Sequence, residues 1–195
     1  IYEKSIKYMV ILAVPIAVGT SILADKAILL IFGTGYSNSI IALQILVWAV
    51  VFIFVSAGFF QLFTSVNRQM IVTIVTGGCA LLNVVLNLIL IPKYSYVGAS
   101  IATVLTQFTA LMLVFLWSLK IGYGISGNKL IYFMAKALVA GAIMGVLVFF
   151  LRDLTLWALV PLSALLYFVV LFIIRGVDEE DKLLLQQLGR RKQIG

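Results

Sequence analysis

Two asparagines four residues apart, Asn83 and Asn87, stand inside an otherwise apolar run that ends at Ile91-Pro92. Primary amides donate and accept hydrogen bonds, so the chemistry they offer is recognition and not bond cleavage. Spacings of three and four join them to Thr73, Thr76 and Ala80 on one helical face. Downstream, Ser100, Thr103, Gln107 and Ala110 repeat the pattern. Two such small-polar stripes either bond each other across a helix–helix seam or line a hydrated path for a polar substrate. Three charges, Asp25, Lys26 and Lys136, also lie within apolar runs. Lys136 is placed to snorkel to the nearest boundary or to meet an anion in a cavity. Asp25, next to Lys26, either marks a boundary where the first run effectively ends near Ala24 or is an acid able to hold a coupling cation.

Other chemistry is excluded by residue type. The chain has no histidine, and its acids, Glu3, Asp25, Asp153, Asp178, Glu179, Glu180 and Asp181, do not assemble a metal cluster. Its one cysteine, Cys79, lies mid-run, so an internal disulfide is impossible and the thiol is expected to pack as a small apolar group. No cofactor is implied.

The elements that must position these groups are membrane helices. Hydrophobic residues make up 64% of the chain and charged residues 11%, with a mean hydropathy of +1.20. A soluble domain has roughly 45–50% apolar and 25% charged residues. A spanning helix needs about 20 mostly apolar residues, and six stretches qualify: Tyr8–Ile31, Ile40–Phe63, Met70–Ile91, Val97–Leu119, Leu130–Leu151 and Thr155–Ile174. Runs such as Leu43–Phe54, apolar but for Gln44, lack the alternation of barrel strands. The expected fold is all-α and polytopic, with six transmembrane helices over residues 1–175 and a tail over 176–195. In that tail, Asp178 caps and leucines at 184 and 188 share a face, so it reads as an amphipathic helix resting on the cytoplasmic leaflet.

Within the third and fourth stretches, Pro92 is expected to stop one helix, Lys93-Tyr94-Ser95-Tyr96 to turn at the boundary, and Gly98, Ala99, Ser100 and Ala102 to let the next helix start close to its neighbour. Pro15 with Gly19, and Pro161, predict bends; Gly141 and Gly145 form a GxxxG spacing suited to close packing.

The formal charge of +7 is distributed by topology. Lys4, Lys7, Arg68, Lys120, Lys129, Arg175, Lys182, Arg190, Arg191 and Lys192 fall at the end shared by both termini, and only Lys93 and Arg152 fall opposite; Lys26 and Lys136 lie within runs. Ten against two predicts cytoplasmic termini in a cell membrane and a basic tail drawn to anionic lipids, with no nucleic-acid partner.

With this layout in place, the chain resembles the C-terminal part of the Wzx-type polysaccharide flippases of the multidrug/oligosaccharidyl-lipid/polysaccharide exporter superfamily. The resemblance rests on LNVVLNLILIPKYSYVGASIATVL at Leu82–Leu105, similar to that family's asparagine-rich helix, Ile-Pro-x-Tyr stop and Gly-Ala-x-Ile-Ala-Thr restart. Upstream, Pro15, Gly19, Leu23–Asp25, Ile31-Phe32-Gly33, Tyr36 and Leu43-Gln44-Ile45-Leu46 are also similar, as is Asp-Glu-Glu-Asp-Lys-Leu-Leu in the tail. Ser95-Tyr96, where the family usually has glycine after the tyrosine, and Lys26, where proline is frequent, depart from the pattern.

The resemblance implies a MATE-like two-lobe transporter of about fourteen helices, of which these six would be the last, with the N-terminal lobe absent from this chain. It implies translocation of a polyprenyl-pyrophosphate-linked oligosaccharide across the cytoplasmic membrane by alternating access, for surface polysaccharide or glycoprotein synthesis, and hence a transporter and not an enzyme. Membrane lipids and the glycosyltransferases or polymerase of the same pathway are the implied partners. Cavity cations would face the pyrophosphate, with Lys136 and then Arg68 as candidates, while Asn83, Asn87, Thr103 and Gln107 could bond sugar hydroxyls and Asp25 could couple an ion. A multidrug cation antiporter or a peptidoglycan-precursor flippase of the same superfamily is the near alternative. A membrane-embedded polysaccharide polymerase or ligase is the alternative of another class, disfavoured by short outer connections and the lack of histidine.

Overall fold

The computed structural model describes residues 2–123, 127–151 and 154–174; the expected amphipathic tail and Arg152 lie outside them. Five helices follow in order: α1 (Tyr2–Phe32), α2 (Ser39–Ser65), α3 (Gln69–Lys120), α4 (Gly127–Phe150) and α5 (Leu156–Ile173), with a 3₁₀ turn (Thr34–Tyr36) between the first two. All five are long and apolar enough to cross a membrane. Only a helix can bury so apolar a chain in lipid without leaving backbone groups unsatisfied, unless strands close into a barrel. Their outer faces carry large side chains that water would reject: Trp157 is 85% exposed and Phe150 76%. Hydrocarbon is the solvent these faces require.

Among the described residues five continuous helices stand against the six expected stretches, because α3 takes up two of them. At 52 residues it would reach about 78 Å if straight, against a hydrocarbon core of about 30 Å. It is not straight. Asn83 bonds Thr106, 23 residues on, a separation that would be about 34 Å along a straight helix. The helix therefore folds back on itself as two packed arms, 69–94 and 96–120. The reversal falls at Ser95 (φ 52°, ψ −132°), not at Pro92. Proline loses one N–H but keeps a helical φ, so helical geometry persists through Lys93 and Tyr94 until one residue leaves it. Likewise α1 runs unbroken through Pro15 and continues as helix to Phe32.

Connections end in left-handed residues. Gly33 (φ 80°) closes α1, and Gly122 (φ 81°) closes α3 with its N–H on the Leu119 carbonyl. Asn67 (φ 59°) does the same after α2, where Arg68 N–H reaches the Phe63 carbonyl at 2.7 Å.

α1 is the shared element of two packed groups. On one side Ile6, Val10, Val14 and Ala17 meet Val47, Val55, Phe59 and Phe63 of α2, which in turn cover Ile71, Val75, Cys79, Leu111 and Val114 of α3. Cys79 is buried there, as a small apolar group. On the other side Ile11 and Leu23 join Ala140, Met144 and Val148 of α4 and Leu159, Tyr167 and Leu171 of α5. Because lipid tails are as apolar as leucine, close packing drives helix association, and glycines set the closeness. A Cβ on Gly141 would lie 3.0 Å from Val14 Cγ1, and one on Gly145 2.9 Å from Ile22 Cδ1. The GxxxG pair thus forms the α1–α4 contact, and it fixes the two helices as parallel.

Candidate functional site

Hairpin packing brings the polar stripes of the two arms of α3 together. Asn83 Nδ2 donates to Thr106 Oγ1 at 3.1 Å, and Thr106 Oγ1 donates to the Ala102 carbonyl at 2.7 Å. Asn87 Nδ2 donates to both the Asn83 carbonyl and Asn83 Oδ1, each at 2.9 Å. Both its amide hydrogens are thereby used, leaving Asn87 Oδ1 as an acceptor. Ser100 and Thr103 hydroxyls donate to the carbonyls one turn back, of Tyr96 and Ala99, a local satisfaction common in membrane helices. Asn83, Asn87, Thr103 and Gln107 are half-buried, whereas Thr73, Thr76 and Ala80 point outward on the first arm.

The cross-seam partner is therefore Thr106, which the spacing argument missed. The expected stripe Ser100, Thr103, Gln107 and Ala110 is rotated from the true contact line, which is Gly98, Ala102, Thr106 and Ala110, all buried. A run of small residues at every fourth position was the available signal. Gly98 sets its tip: a Cβ there would strike the Leu90 carbonyl of the opposite arm.

Lys136 and Asp25 are not at this seam. Lys136 is half-buried on α4 with its ammonium 4.3 Å from the Tyr132 ring centroid, and α4 packs on α1 and α5. Contacts of Lys7 with the Phe133 ring, Val14 with Gly141, and Ile22 with Gly145 fix the α1–α4 register. That register puts Lys136 near the level of Val10, several turns from Asp25. At the far end of α1, Lys26 Nζ donates to the Leu154 carbonyl at 3.0 Å, tying α1 to the start of α5. About a turn and a half below, Ser21 and Gln44 exchange hydrogen bonds between α1 and α2, with Gln44 Nε2 on the Ser21 carbonyl at 3.0 Å.

A groove of about 350 Å³, which helix spacing does not reveal, lies between α1, α4 and α5. Its walls include Leu12, Pro15, Ile16, Gly19, Met144, Val160, Ala164 and Phe168. Leu12, Ile16, Val160 and Phe168 are about half exposed, so it opens to the outside of the bundle. Its volume is that of a ligand site, about 300–1,000 Å³, and its lining is almost wholly apolar; the Ser163 hydroxyl is turned to the Val160 carbonyl at 2.8 Å. Pro15 and Gly19, one turn apart, leave the α1 face shallow. Among the described residues no group of His, Cys, Asp or Glu could hold a metal ion. The groove can hold an apolar chain.

No protein-family model matches the chain. Over 159 residues it is 28% identical to an uncharacterized membrane protein of Methanocaldococcus jannaschii, a match covering 78% of this chain and 29% of that protein. It superposes on the lipid II flippase MurJ in an inward closed conformation with a TM-score of 0.73 and 16% identity, covering 89% of this chain and 38% of the flippase. The fold is shared with a flippase. The chain thus spans less than two fifths of the length of either, and the MurJ-like region it covers is all-helical and multi-pass.

Proposed function

We propose that this chain is part of a flippase that moves a lipid-linked glycan precursor across a cell membrane by alternating access. The observation that carries the reading is the outward-opening apolar groove of α1, α4 and α5 within a fold shared with a lipid II flippase. Such a groove suits an isoprenoid tail, which gains from every apolar contact and needs no polar partner. Lys136, Ala140 and Met144 recur every four residues on α4, so Lys136 stands two turns from the groove wall on the same stripe, which supports it as the candidate partner of the pyrophosphate. Asn83 is committed to the hairpin seam; Asn87, Thr103 and Gln107 are the candidates for sugar contacts, and Asp25 for ion coupling. The two arms of α3 cross separately in this reading, which makes six crossings, and the basic end of the bundle faces the cytoplasm.

Two head groups compete. The sequence resemblance favours a polyprenyl-linked oligosaccharide, and the fold neighbour favours a peptidoglycan precursor. Vesicles holding the full-length protein separate them: labelled lipid II and labelled polyprenyl-pyrophosphate oligosaccharide are each offered, and flipping is followed by loss of accessibility. Filling the groove with Ala164→Trp is expected to slow flipping by roughly tenfold, about 1.4 kcal/mol in the barrier. Lys136→Ala and Asn87→Leu are expected to impair it without loss of expression. A well-folded protein that flips neither lipid refutes the proposal.

A further inference from the structure

The end of the α3 hairpin opposite Ser95 holds a second pocket, of about 650 Å³, separate from both seam and groove. The doubling-back of α3 brings Arg68 and Met70, at its start, beside Trp117, Lys120 and Ile121, at its finish. The pocket is split in character. Arg68 and Lys120 form a cationic rim where the arms leave the apolar zone, while Met70 and Ile74 continue inward along the first arm as an apolar wall. Lys120 Nζ lies 5.7 Å from the Trp117 ring centroid, so the ring backs the ammonium while remaining exposed. Neither α2 nor α3 contains an aspartate or glutamate. Arg68 and Lys120 line one pocket at a membrane boundary, and the helices α2 and α3 that frame it bring no carboxylate to it, so an anion from outside is attracted there.

We propose that this pocket binds the head group of an anionic phospholipid. Arg68 offers a planar fork matched to two phosphodiester oxygens, and Lys120 a point charge beside it. Trp117 belongs at the depth of the glycerol backbone, and the Met70–Ile74 wall takes the first carbons of an acyl chain. That wall is what a free phosphate would leave unused, so lipid is the ligand.

The test titrates phosphatidylglycerol into the full-length protein in neutral detergent micelles and counts retained lipid by native mass spectrometry. Arg68→Gln with Lys120→Gln is expected to weaken binding by about thirtyfold, two head-group contacts being lost together. Arg68→Lys with Lys120→Arg, which keeps both charges, is expected to keep the affinity. Lys93→Gln, at the opposite end of the bundle, is expected to change nothing. Undiminished binding in the Gln pair overturns the proposal. So does an equal loss in the charge-keeping pair, which would make the effect structural, or in Lys93→Gln, which would make it a diffuse field. Displacement of the lipid by excess inorganic phosphate would identify a free-anion site and overturn the assignment to lipid.

Discussion

Gly98→Ala is the most direct probe of the hairpin. The new Cβ would lie 2.6 Å from the Leu90 carbonyl carbon and 3.1 Å from the Ile91 nitrogen, and closer still to the Leu90 oxygen. Carbon atoms in comfortable contact are about 3.5–4.0 Å apart, so the arms must open by roughly 1 Å at their tip. These neighbours are backbone atoms, which no change of rotamer can move aside. Overpacking of this kind costs about 1–3 kcal/mol. The opening also propagates two turns down the arms to the Asn83–Thr106 bond, which at 3.1 Å has little length to spare and contributes on the order of 0.6–2 kcal/mol. A loss of about 3 kcal/mol is therefore expected, more than a hundredfold in the folding equilibrium. Titration of the purified full-length protein in mixed micelles with dodecyl sulfate, read by far-ultraviolet circular dichroism, measures it. Gly98→Val should fall further. Wild-type stability for Gly98→Ala would refute the close approach of the arms, and with it the reading of α3 as a hairpin.

The same assay carries two companions. Ser95→Gly is expected to stabilise the protein by about 0.5–1 kcal/mol, because φ 52° costs a serine about 1–2 kcal/mol and glycine gives back part of that gain as chain entropy; a loss of stability would count against the positive φ. A double-mutant cycle on Asn83→Ala and Thr106→Val should give a coupling of about 0.6 kcal/mol and no more than about 1.7, whereas zero coupling would dissolve the seam. Topology is tested separately in a cysteine-free background with single cysteines at Gln69 and Tyr94, both exposed at opposite ends of the first arm of α3. A membrane-impermeant maleimide applied to intact cells is expected to label Tyr94→Cys and spare Gln69→Cys, and the reverse pattern would invert the assigned orientation.

What the residues disclosed in advance follows from where physics leaves few choices. Lipid permits a long apolar run little but a helix, so the spans were legible to within a few residues, and Gly141 and Gly145 announced a close contact that α4 does make with α1. The reversal of α3 was legible only as a region. Pro92 advertises itself by a missing N–H, yet a membrane helix absorbs that loss; what turns the chain is a left-handed residue, and serine at position 95 gives no outward sign of being one. Thr106 was missed for a related reason. A stripe drawn at 100, 103, 107 and 110 differs from the true line at 98, 102, 106 and 110 by a rotation of the helix, and that rotation is set by which small residue leads the contact, here Gly98, a three-dimensional fact. The groove was hidden more deeply, since it consists of atoms that are not there. Pro15 and Gly19 contribute to it by what they lack, and only the placement of α5 against α1 and α4 turns that lack into a volume. Helix spacing ranks residues by face; it cannot tell a face that is covered from one that is left open.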